Sequence, residues 1–168
     1  IGELQQHFTN SDITGIEYNK EIFDSIQEFQ TENTILKNLD FLKFKTEHKF
    51  DIIIGNPPYF VIKKKDVDSK YDKYYSGRPN IFILFIIKSL KLLKDNGILC
   101  FVLPNNFTNC LYYDKTRKYI IEYFTILDII HCEDKYIDTT QNTIILIIKK
   151  NKPEKRNNKF TLNKNKFT

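Results

Sequence analysis

The stretch that decides the fold is DIIIGNPPYF, residues 51–60. Its β-branched run Ile52-Ile53-Ile54 is typical of a strand that is buried on both faces of a parallel sheet. Pro57 and Pro58 then end the strand, because neither proline can donate a backbone hydrogen bond to a neighbouring strand. Open α/β sheets bind their ligands beyond the carboxyl ends of the strands. The sequence therefore predicts a functional site at this junction.

Each proline also restricts the residue before it to extended backbone geometry. We therefore expect the Asn56 side-chain amide and the Pro57 carbonyl to be held rigidly, with both oxygens able to accept hydrogen bonds. Pro58 and Tyr59 complete the motif. A plain strand-to-loop turn is the alternative interpretation of these residues taken alone.

Strands and helices alternate around this stretch. Strands are predicted at 13–17, 34–39, 50–54, 98–103, 126–131 and 143–148, and helices at 1–8, 19–30, 80–94 and 113–124. The polar connection between the last two strands is too short for a crossover helix, which predicts antiparallel neighbours at a sheet edge. The expected fold class is α/β: a Rossmann-like, doubly wound sheet, mostly parallel with an antiparallel edge strand, whose first strand precedes Ile1.

Composition limits the class of protein. The chain has 168 residues, 41% of them hydrophobic, which fits one globular domain with a core. It contains no methionine, even at position 1, so we expect an internal piece of a longer protein. No apolar run reaches the ~20 residues of a membrane span. Three cysteines without metal-ligand spacing predict reduced thiols in a cytoplasmic protein and no metal site. The net charge of +5 weakly favours a nucleic-acid partner.

Polar side chains end the first three predicted strands: Glu17, Asp40 and Asn56. In a parallel sheet these residues lie along one rim. A carboxylate at this rim can accept hydrogen bonds from the ribose hydroxyls of an adenosine cofactor, and Asp40 can accept from its adenine amino group with Phe41 against the ring. Each carboxylate can equally cap the next helix or face solvent. Together with Asn56, they favour a nucleoside-cofactor site.

The segment at residues 61–78 is too long for an ordinary connection in a compact domain, so we expect it to be functional or partly disordered. It interleaves basic and aromatic residues: Lys63, Lys64, Lys65, Lys70, Lys73, Arg78, Tyr71, Tyr74 and Tyr75. This mixture suits contacts to a DNA backbone and stacking on a displaced strand. A solvated mobile loop is an equally good interpretation, since Asp66, Asp68 and Asp72 dilute the positive charge.

These motifs together resemble the N6-adenine-specific DNA methyltransferases of restriction-modification systems. The resemblance rests on Asn56-Pro57-Pro58-Tyr59 after an apolar strand, on Glu17 and Asp40 upstream, and on NGILCFVLP at residues 96–104 downstream. It implies S-adenosylmethionine as cofactor and double-stranded DNA with a flipped adenine as substrate. Residues 1–150 would be a catalytic domain without the family's Gly-rich cofactor loop. Residues 151–168 would be a basic linker towards a target-recognition domain, and a restriction nuclease would be fused or associated.

The resemblance also implies roles for individual residues. The cofactor would be bound by Glu17, Asp40, Phe41, Asn56 and Phe85, with Glu17 on the ribose, Asp40 on the adenine amino group and Phe85 lining the pocket. The extruded base would stack on Tyr59 and Tyr136. The composition of the 61–78 segment, rather than the resemblance, predicts DNA-backbone contacts by Lys63, Lys64, Lys65, Lys73 and Arg78.

The chemistry of the target explains why this motif suits it. The lone pair of an adenine amino nitrogen is delocalised into the ring, which makes it a poor nucleophile. Acceptors on its two hydrogens, Asn56 Oδ1 and the Pro57 carbonyl, would restore the lone pair for attack on a sulfonium methyl. The same chemistry would serve a methyltransferase acting on a protein glutamine or a ribosomal RNA guanine. A catalytically silent nucleic-acid-binding module is a further alternative, against which the intact motif argues.

Overall fold

The computed structural model describes residues 1–132 and 142–152 in full, and the backbone of 161–162 and 165–166. The chain separates into two compact units, Ile1–Glu47 and His48–Thr168. Each unit has its own sheet.

The first unit pairs two parallel strands. Helix α1 (Gly2–His7) precedes strand β1 (Ile13–Glu17), and helix α2 (Lys20–Ser25) leads to strand β2 (Thr34–Asn38). These positions confirm the predicted strands at 13–17 and 34–39 to within a residue.

Asn19 caps α2, as the helix predicted from residue 19 implies. Its side-chain oxygen accepts hydrogen bonds from the backbone N–H groups of Glu21 at 2.8 Å and Ile22 at 3.2 Å. The helix predicted to reach residue 30 instead ends at Ser25 and continues as a short 3₁₀ turn, Gln27–Phe29. The Ser25 hydroxyl donates to the Ile22 carbonyl, a local bond that competes with continuation of the helix.

The second unit is built on a four-stranded sheet. Its elements are β3 (Phe50–Gly55), α3 (Ile81–Leu92), β4 (Leu93–Pro104), α4 (Asp114–Tyr123), β5 (Thr125–Cys132) and β6 (Thr143–Lys149). The strand order is β3-β4-β6-β5, with β3 parallel to β4 and β6 antiparallel to both β4 and β5. The predicted antiparallel pair is therefore confirmed, and the reversed strand, β6, lies one place inside the edge strand β5. Two short strands, β7 (Thr161–Leu162) and β8 (Asn165–Lys166), pair separately.

One face of this sheet is buried and the other is half exposed. The buried side chains of the two central strands include Leu99, Phe101, Leu103, Ile144, Leu146 and Ile148. Helices α3 and α4 contact β4 and β5, so we place both helices over this face. On β3, Ile53 pairs with Leu99 and is half-buried, whereas Ile52 and Ile54 are 41% and 51% exposed. The prediction that β3 is buried on both faces is therefore wrong, because the helices of this unit cover the same side.

The segment at residues 61–78 folds back on itself. Its two ends are tied together: the N–H of Ile62 donates to the Pro79 carbonyl at 2.9 Å, and the N–H of Ile81 donates to the Phe60 carbonyl at 3.0 Å. Between these ends lie two 3₁₀ turns, Lys64–Asp66 and Ser69–Tyr74. The segment is thus a compact loop closed at its base.

Within the described residues, no helix is long and apolar enough to cross a membrane. The same part of the chain holds no group of three His, Cys, Asp or Glu side chains that could bind a metal ion. Cys100, Cys110 and Cys132 are half-buried free thiols.

Candidate active site

The motif Asn56-Pro57-Pro58-Tyr59 directly follows the carboxyl end of β3, which is where the sequence predicted a functional site. Gly55 lies opposite Phe101 in the ladder with β4, and a Cβ atom added to Gly55 would stand 3.1 Å from the Phe101 ring. The glycine thus allows β3 to pass close to this ring. Asn56 and Pro58 are exposed, whereas Pro57 is buried. Asn56 is therefore the accessible member of the predicted acceptor pair, and the role of the Pro57 carbonyl stays a prediction.

Tyr59 connects the motif to two other elements. Its phenolic oxygen lies 2.5 Å from Asn56 Oδ1 and 2.9 Å from the backbone oxygen of Val102 in β4. Its ring meets the fully buried Phe82 ring of α3 edge-on, with centroids 6.2 Å apart and an interplanar angle of 87°. Contacts with β4 and α3 therefore hold the half-buried Tyr59 side chain beside Asn56.

The contact with Val102 was missed by the sequence analysis. A backbone carbonyl carries no signal in residue type, because every residue has one. Strand register supplies the missing information: β3 and β4 are parallel, and Gly55 pairs with Phe101. Continuing this register places residue 56 beside residue 102.

The Phe82 ring that contacts Tyr59 belongs to a cluster of buried aromatic side chains. Phe82 contacts Tyr113 at a centroid distance of 5.0 Å and Phe107 at 6.0 Å. Burial raises the pKa of the Tyr113 hydroxyl, so this phenol stays protonated at neutral pH. The cluster links α3 to the loop that follows β4, on the same side of the sheet as Tyr59.

A buried arginine holds the loop after β4. Arg117 of α4 is 3% exposed, and its Nη1 donates to the carbonyls of Phe107 at 2.9 Å and Cys110 at 2.8 Å. Burial lowers the pKa of the Arg117 guanidinium, and the nearby Asp114 carboxylate opposes this shift. Sequence reasoning missed Arg117, since a single arginine in an amphipathic helix ordinarily faces solvent.

The predicted cofactor acids lie in the first unit. Glu17 is the last residue of β1, and its Oε1 accepts from the N–H of Asn19 at 2.7 Å. Asp40 lies just beyond β2, and its Oδ1 accepts from the N–H of Leu42 at 2.8 Å, which begins the 3₁₀ turn Phe41–Lys43. Asp40 therefore caps the turn Phe41–Lys43, whereas Glu17 bonds the N–H of Asn19, the residue that caps α2. Because each carboxylate offers two oxygens and about four lone pairs, these bonds are compatible with binding ribose and adenine donors. Two acids at neighbouring strand ends fit an adenosine group.

The remaining predicted cofactor residues are divided between the units. Phe41 is half-buried in the first unit, directly after Asp40. Phe85 is half-buried in α3, about one turn after Phe82. The structure thus groups Glu17, Asp40 and Phe41 in one unit, and Asn56, Tyr59 and Phe85 in the other. The predicted base-stacking residue Tyr136 lies outside the described residues.

The loop at 61–78 corrects one expectation about aromatic stacking. Tyr71, Tyr74 and Tyr75 are only 5%, 4% and 3% exposed, so they form part of the core and their rings are not available to a displaced DNA strand. Burying large rings is a major source of stability, which explains why the loop folds inwards at these positions.

The basic residues of the same loop lie on its surface. The exposed members include all five that were predicted to contact DNA: Lys63, Lys64, Lys65, Lys73 and Arg78. The Nζ of Lys73 lies over the Tyr74 ring, 5.1 Å from its centroid. The loop thus presents positive charge outwards, and DNA contact by these residues stays a prediction.

Comparison with known proteins identifies the family. Residues 3–138 match the Eco57I restriction-modification methylase family. The chain belongs to this family. A modification methylase, CviBIII of Paramecium bursaria Chlorella virus NC1A, is 34% identical over 158 residues, which are 91% of this chain and 40% of that protein. The type II methyltransferase M.AccI of Acinetobacter calcoaceticus is 29% identical over 146 residues, 82% of this chain and 26% of that protein. The chain therefore spans less than half the length of these relatives.

Solved structures support the fold of this Eco57I-family chain. The methyltransferase subunit of a type I restriction-modification system from Streptococcus thermophilus superposes with a TM-score of 0.69 at 23% identity, over 85% of this chain and 34% of that one. The N-methyltransferase NodS of Bradyrhizobium japonicum WM9 was solved with S-adenosyl-L-homocysteine. It superposes with a TM-score of 0.53 at 16% identity, over 84% of this chain and 66% of that one. The predicted Rossmann-like methyltransferase fold is thereby confirmed.

Proposed function

We propose that the protein containing this chain is a site-specific DNA methyltransferase that transfers a methyl group to the N6 amino group of adenine, as part of a restriction-modification system in the cytoplasm. The observation that carries this proposal is the exposed Asn56 at the carboxyl end of β3, whose side chain lies beside Tyr59 in a chain of the Eco57I family. Residues 1–150 belong to the catalytic domain, and 151–168 lead towards a target-recognition domain. A restriction nuclease is fused to the protein or associates with it.

The cofactor is S-adenosylmethionine, which supplies an electrophilic methyl on a sulfonium sulfur. Glu17 accepts hydrogen bonds from its ribose hydroxyls, and Asp40 accepts from its adenine amino group. Both carboxylates lie at the ends of parallel strands, each with one oxygen accepting a hydrogen bond from a nearby backbone N–H group. Phe41, directly after Asp40, supplies apolar surface for the adenine ring. Phe85 is a cofactor-pocket residue by the family resemblance.

Asn56 and Pro57 activate the target. Asn56 Oδ1 and the Pro57 carbonyl accept hydrogen bonds from the two amino hydrogens of adenine. These contacts favour a pyramidal nitrogen whose lone pair is directed at the methyl group. As the new nitrogen–carbon bond formed, the methyl–sulfur bond would break to leave a neutral thioether, and the nitrogen would release one proton to solvent. Fixed acceptors stabilise the developing positive charge without reorganising during the reaction. Asn56 is exposed, so its side chain is open to an incoming base.

The base reaches this site by leaving the duplex. Tyr59 and Tyr136 stack on the flipped adenine, an interaction worth ~1–3 kcal/mol per base. The surface cations Lys63, Lys64, Lys65, Lys73 and Arg78 bind the phosphate backbone. Tyr71, Tyr74 and Tyr75 take no part in stacking, because they are buried.

A transfer assay tests the proposal. The full-length protein is incubated with tritiated S-adenosylmethionine and DNA, and the DNA is digested to nucleosides and analysed for N6-methyladenine by mass spectrometry. We expect label on adenine, and an Asn56→Ala variant that loses about 100-fold or more of the rate, since removal of one fixed hydrogen-bonding group from a transition-state site costs this much.

Asn33→Ala is the matched control, because Asn33 is an exposed asparagine that precedes β2. The control variant should retain the full rate. Label on cytosine, RNA or protein glutamine would overturn the substrate assignment, and an Asn56→Ala variant with full activity would overturn the mechanism.

A further inference from the structure

The hydroxyl of Tyr59 lies between two oxygen atoms. Asn56 Oδ1 is 2.5 Å away and the Val102 carbonyl oxygen is 2.9 Å away. A phenol has a single hydrogen. If it donates to Asn56 Oδ1, lone pairs of Tyr59 and Val102 face each other at 2.9 Å with no hydrogen between them. If it donates to Val102, the same conflict arises with Asn56 at 2.5 Å.

Rotation of the Asn56 amide by half a turn removes this conflict. The amide oxygen and nitrogen have nearly the same size, so exchanging them leaves all heavy-atom positions occupied as before. Asn56 Nδ2 then donates to Tyr59 Oη, and Tyr59 donates to the Val102 carbonyl. Both short contacts now contain a hydrogen, and Asn56 Oδ1 lies on the edge of the amide away from Tyr59.

We propose that Tyr59 is a positioning residue. Because its hydroxyl donates to the Val102 carbonyl, it can only accept a hydrogen bond from Asn56, which turns Nδ2 of the amide towards Tyr59. The Oδ1 edge of the amide is then the one that meets the target nitrogen. This proposal rests on the proposed function, in which Asn56 accepts a hydrogen bond from the target amino group. An amide turned the other way would present its own N–H hydrogens to the amino hydrogens of adenine, which is repulsive. The hydroxyl therefore selects the acceptor orientation.

The surroundings of Tyr59 suit this role. Val102 lies in β4, which is paired with β3 on one side and β6 on the other, so its carbonyl has a fixed direction. The Tyr59 ring is held edge-on by Phe82, which is itself packed on Phe107 and Tyr113. The hydroxyl acts in the plane of the ring, whereas base stacking would use the ring face. One side chain thus performs both tasks.

Kinetics separate these two tasks. Tyr59→Phe keeps the ring and removes the hydroxyl, so we expect kcat to fall by about 3- to 10-fold, the effect of losing one hydrogen bond. The KM for DNA should remain within about twofold, since stacking is retained. Tyr59→Ala removes both the ring and the hydroxyl, so it should lower kcat and also raise the KM for DNA. The control is Tyr123→Phe, which removes an exposed hydroxyl from α4 and should change neither constant.

A second measurement does not depend on methyl transfer. In ¹⁵N-labelled full-length protein, the Asn56 side-chain NH₂ signal is assigned by its loss in Asn56→Asp, and its hydrogen exchange is compared with that of exposed Asn33. We expect slower exchange at Asn56 in the wild type, and loss of this protection in Tyr59→Phe. Equal exchange at Asn56 in the two proteins would overturn the inference, as would fast exchange in the wild type alone.

The two proposals fail in different ways. If the wild-type protein protects the Asn56 amide from exchange but does not methylate adenine, the positioning role of Tyr59 stands and the proposed function is wrong. If the wild-type protein methylates adenine and Tyr59→Phe has the same kcat, the proposed function stands and the positioning role of Tyr59 is wrong.

Discussion

The loop at residues 56–59 and the loop at 61–78 are neighbours in sequence, and both contain tyrosines, yet they use them differently. Tyr59 is half-buried, and its hydroxyl contacts Asn56 and Val102. Tyr74, in contrast, is buried, and its ring packs on Tyr119 at a centroid distance of 4.8 Å. The first loop presents polar groups at the end of a strand. The second loop buries its tyrosine rings in the core and exposes its basic side chains to solvent. An aromatic residue in a basic segment is therefore not by itself a sign of nucleic-acid stacking.

The largest expected effect on stability comes from Tyr74. Tyr74→Ala should lower the free energy of unfolding by about 3–5 kcal/mol, because it removes a buried ring and leaves a cavity. Tyr59→Ala should cost clearly less, since its ring is half exposed. Urea denaturation of the full-length protein, followed by circular dichroism, measures both. Equal losses would remove the distinction between the two loops.

The next largest effect concerns the hydrogen bond that attaches the second loop to α4. The buried Thr116 hydroxyl donates to the Tyr74 carbonyl at 2.5 Å. Thr116→Val keeps the shape but leaves that carbonyl without this donor, so we expect a loss of about 1–3 kcal/mol in urea denaturation. Thr125→Val is the matched control, because its hydroxyl lies 3.5 Å from the Asn151 carbonyl. A control that cost as much as Thr116→Val would contradict the assigned bond.

A smaller effect appears only at alkaline pH. Burial, reinforced by the hydrogen bond from its hydroxyl to Asp72 at 2.6 Å, raises the pKa of Tyr75 to about 12. In the unfolded chain a tyrosine titrates near 10, so the unfolded state releases this proton first. The stabilisation is complete below pH 10 and is lost as the pH rises from about 10 to about 12. Tyr75→Phe should weaken this decline, measured as the free energy of unfolding against pH. An identical pH dependence in the variant would show that Tyr75 titrates normally.

The smallest expected effect on stability comes from the surface of the second loop. Replacing Lys63, Lys64 and Lys65 together by glutamine should change the free energy of unfolding by less than about 0.5 kcal/mol, since all three are exposed. DNA binding should respond instead. The slope of log affinity against log salt should fall by up to about 2.7, because each neutralised phosphate contributes about 0.9. Fluorescence anisotropy with labelled duplex measures this slope.

A matched triple variant tests the location of the effect. Lys43, Lys45 and Lys115 are also exposed lysines, and their replacement by glutamine removes the same charge. We expect a smaller change in the salt slope for this variant. Equal changes would indicate general attraction to DNA and would argue against a contact by the second loop.

Local signals made part of the structure predictable from the sequence. The β-branched run at 52–54 predicted a strand, and the asparagine at 19 predicted a helix start, because both depend on nearby residues. Asn56 was placed at a strand end by the prolines that follow it. The family was predicted from the resemblance that the same motif carries, and the match over residues 3–138 confirms it.

Features set by distant contacts were not predictable in this way. Burial of Tyr74 depends on α4, more than 40 residues later in the chain. The exposure of Ile54 depends on which side of the sheet the helices cover. The contact of Tyr59 with Val102 depends on the register of two strands separated by a loop and a helix. Sequence patterns indicate which residues are apolar or polar, but not which partners they meet.

The position of β6 has a consequence for the order of folding. This last strand of the four-stranded sheet lies between β4 and β5, and it forms a ladder with each of them. Before β6 is in place, both neighbours present an open edge, and open edges are sites of aggregation. During synthesis the sheet therefore cannot close until Lys149 has left the ribosome. A nascent chain stalled before Thr143 should depend on chaperones, whereas one stalled well beyond Lys149 should not.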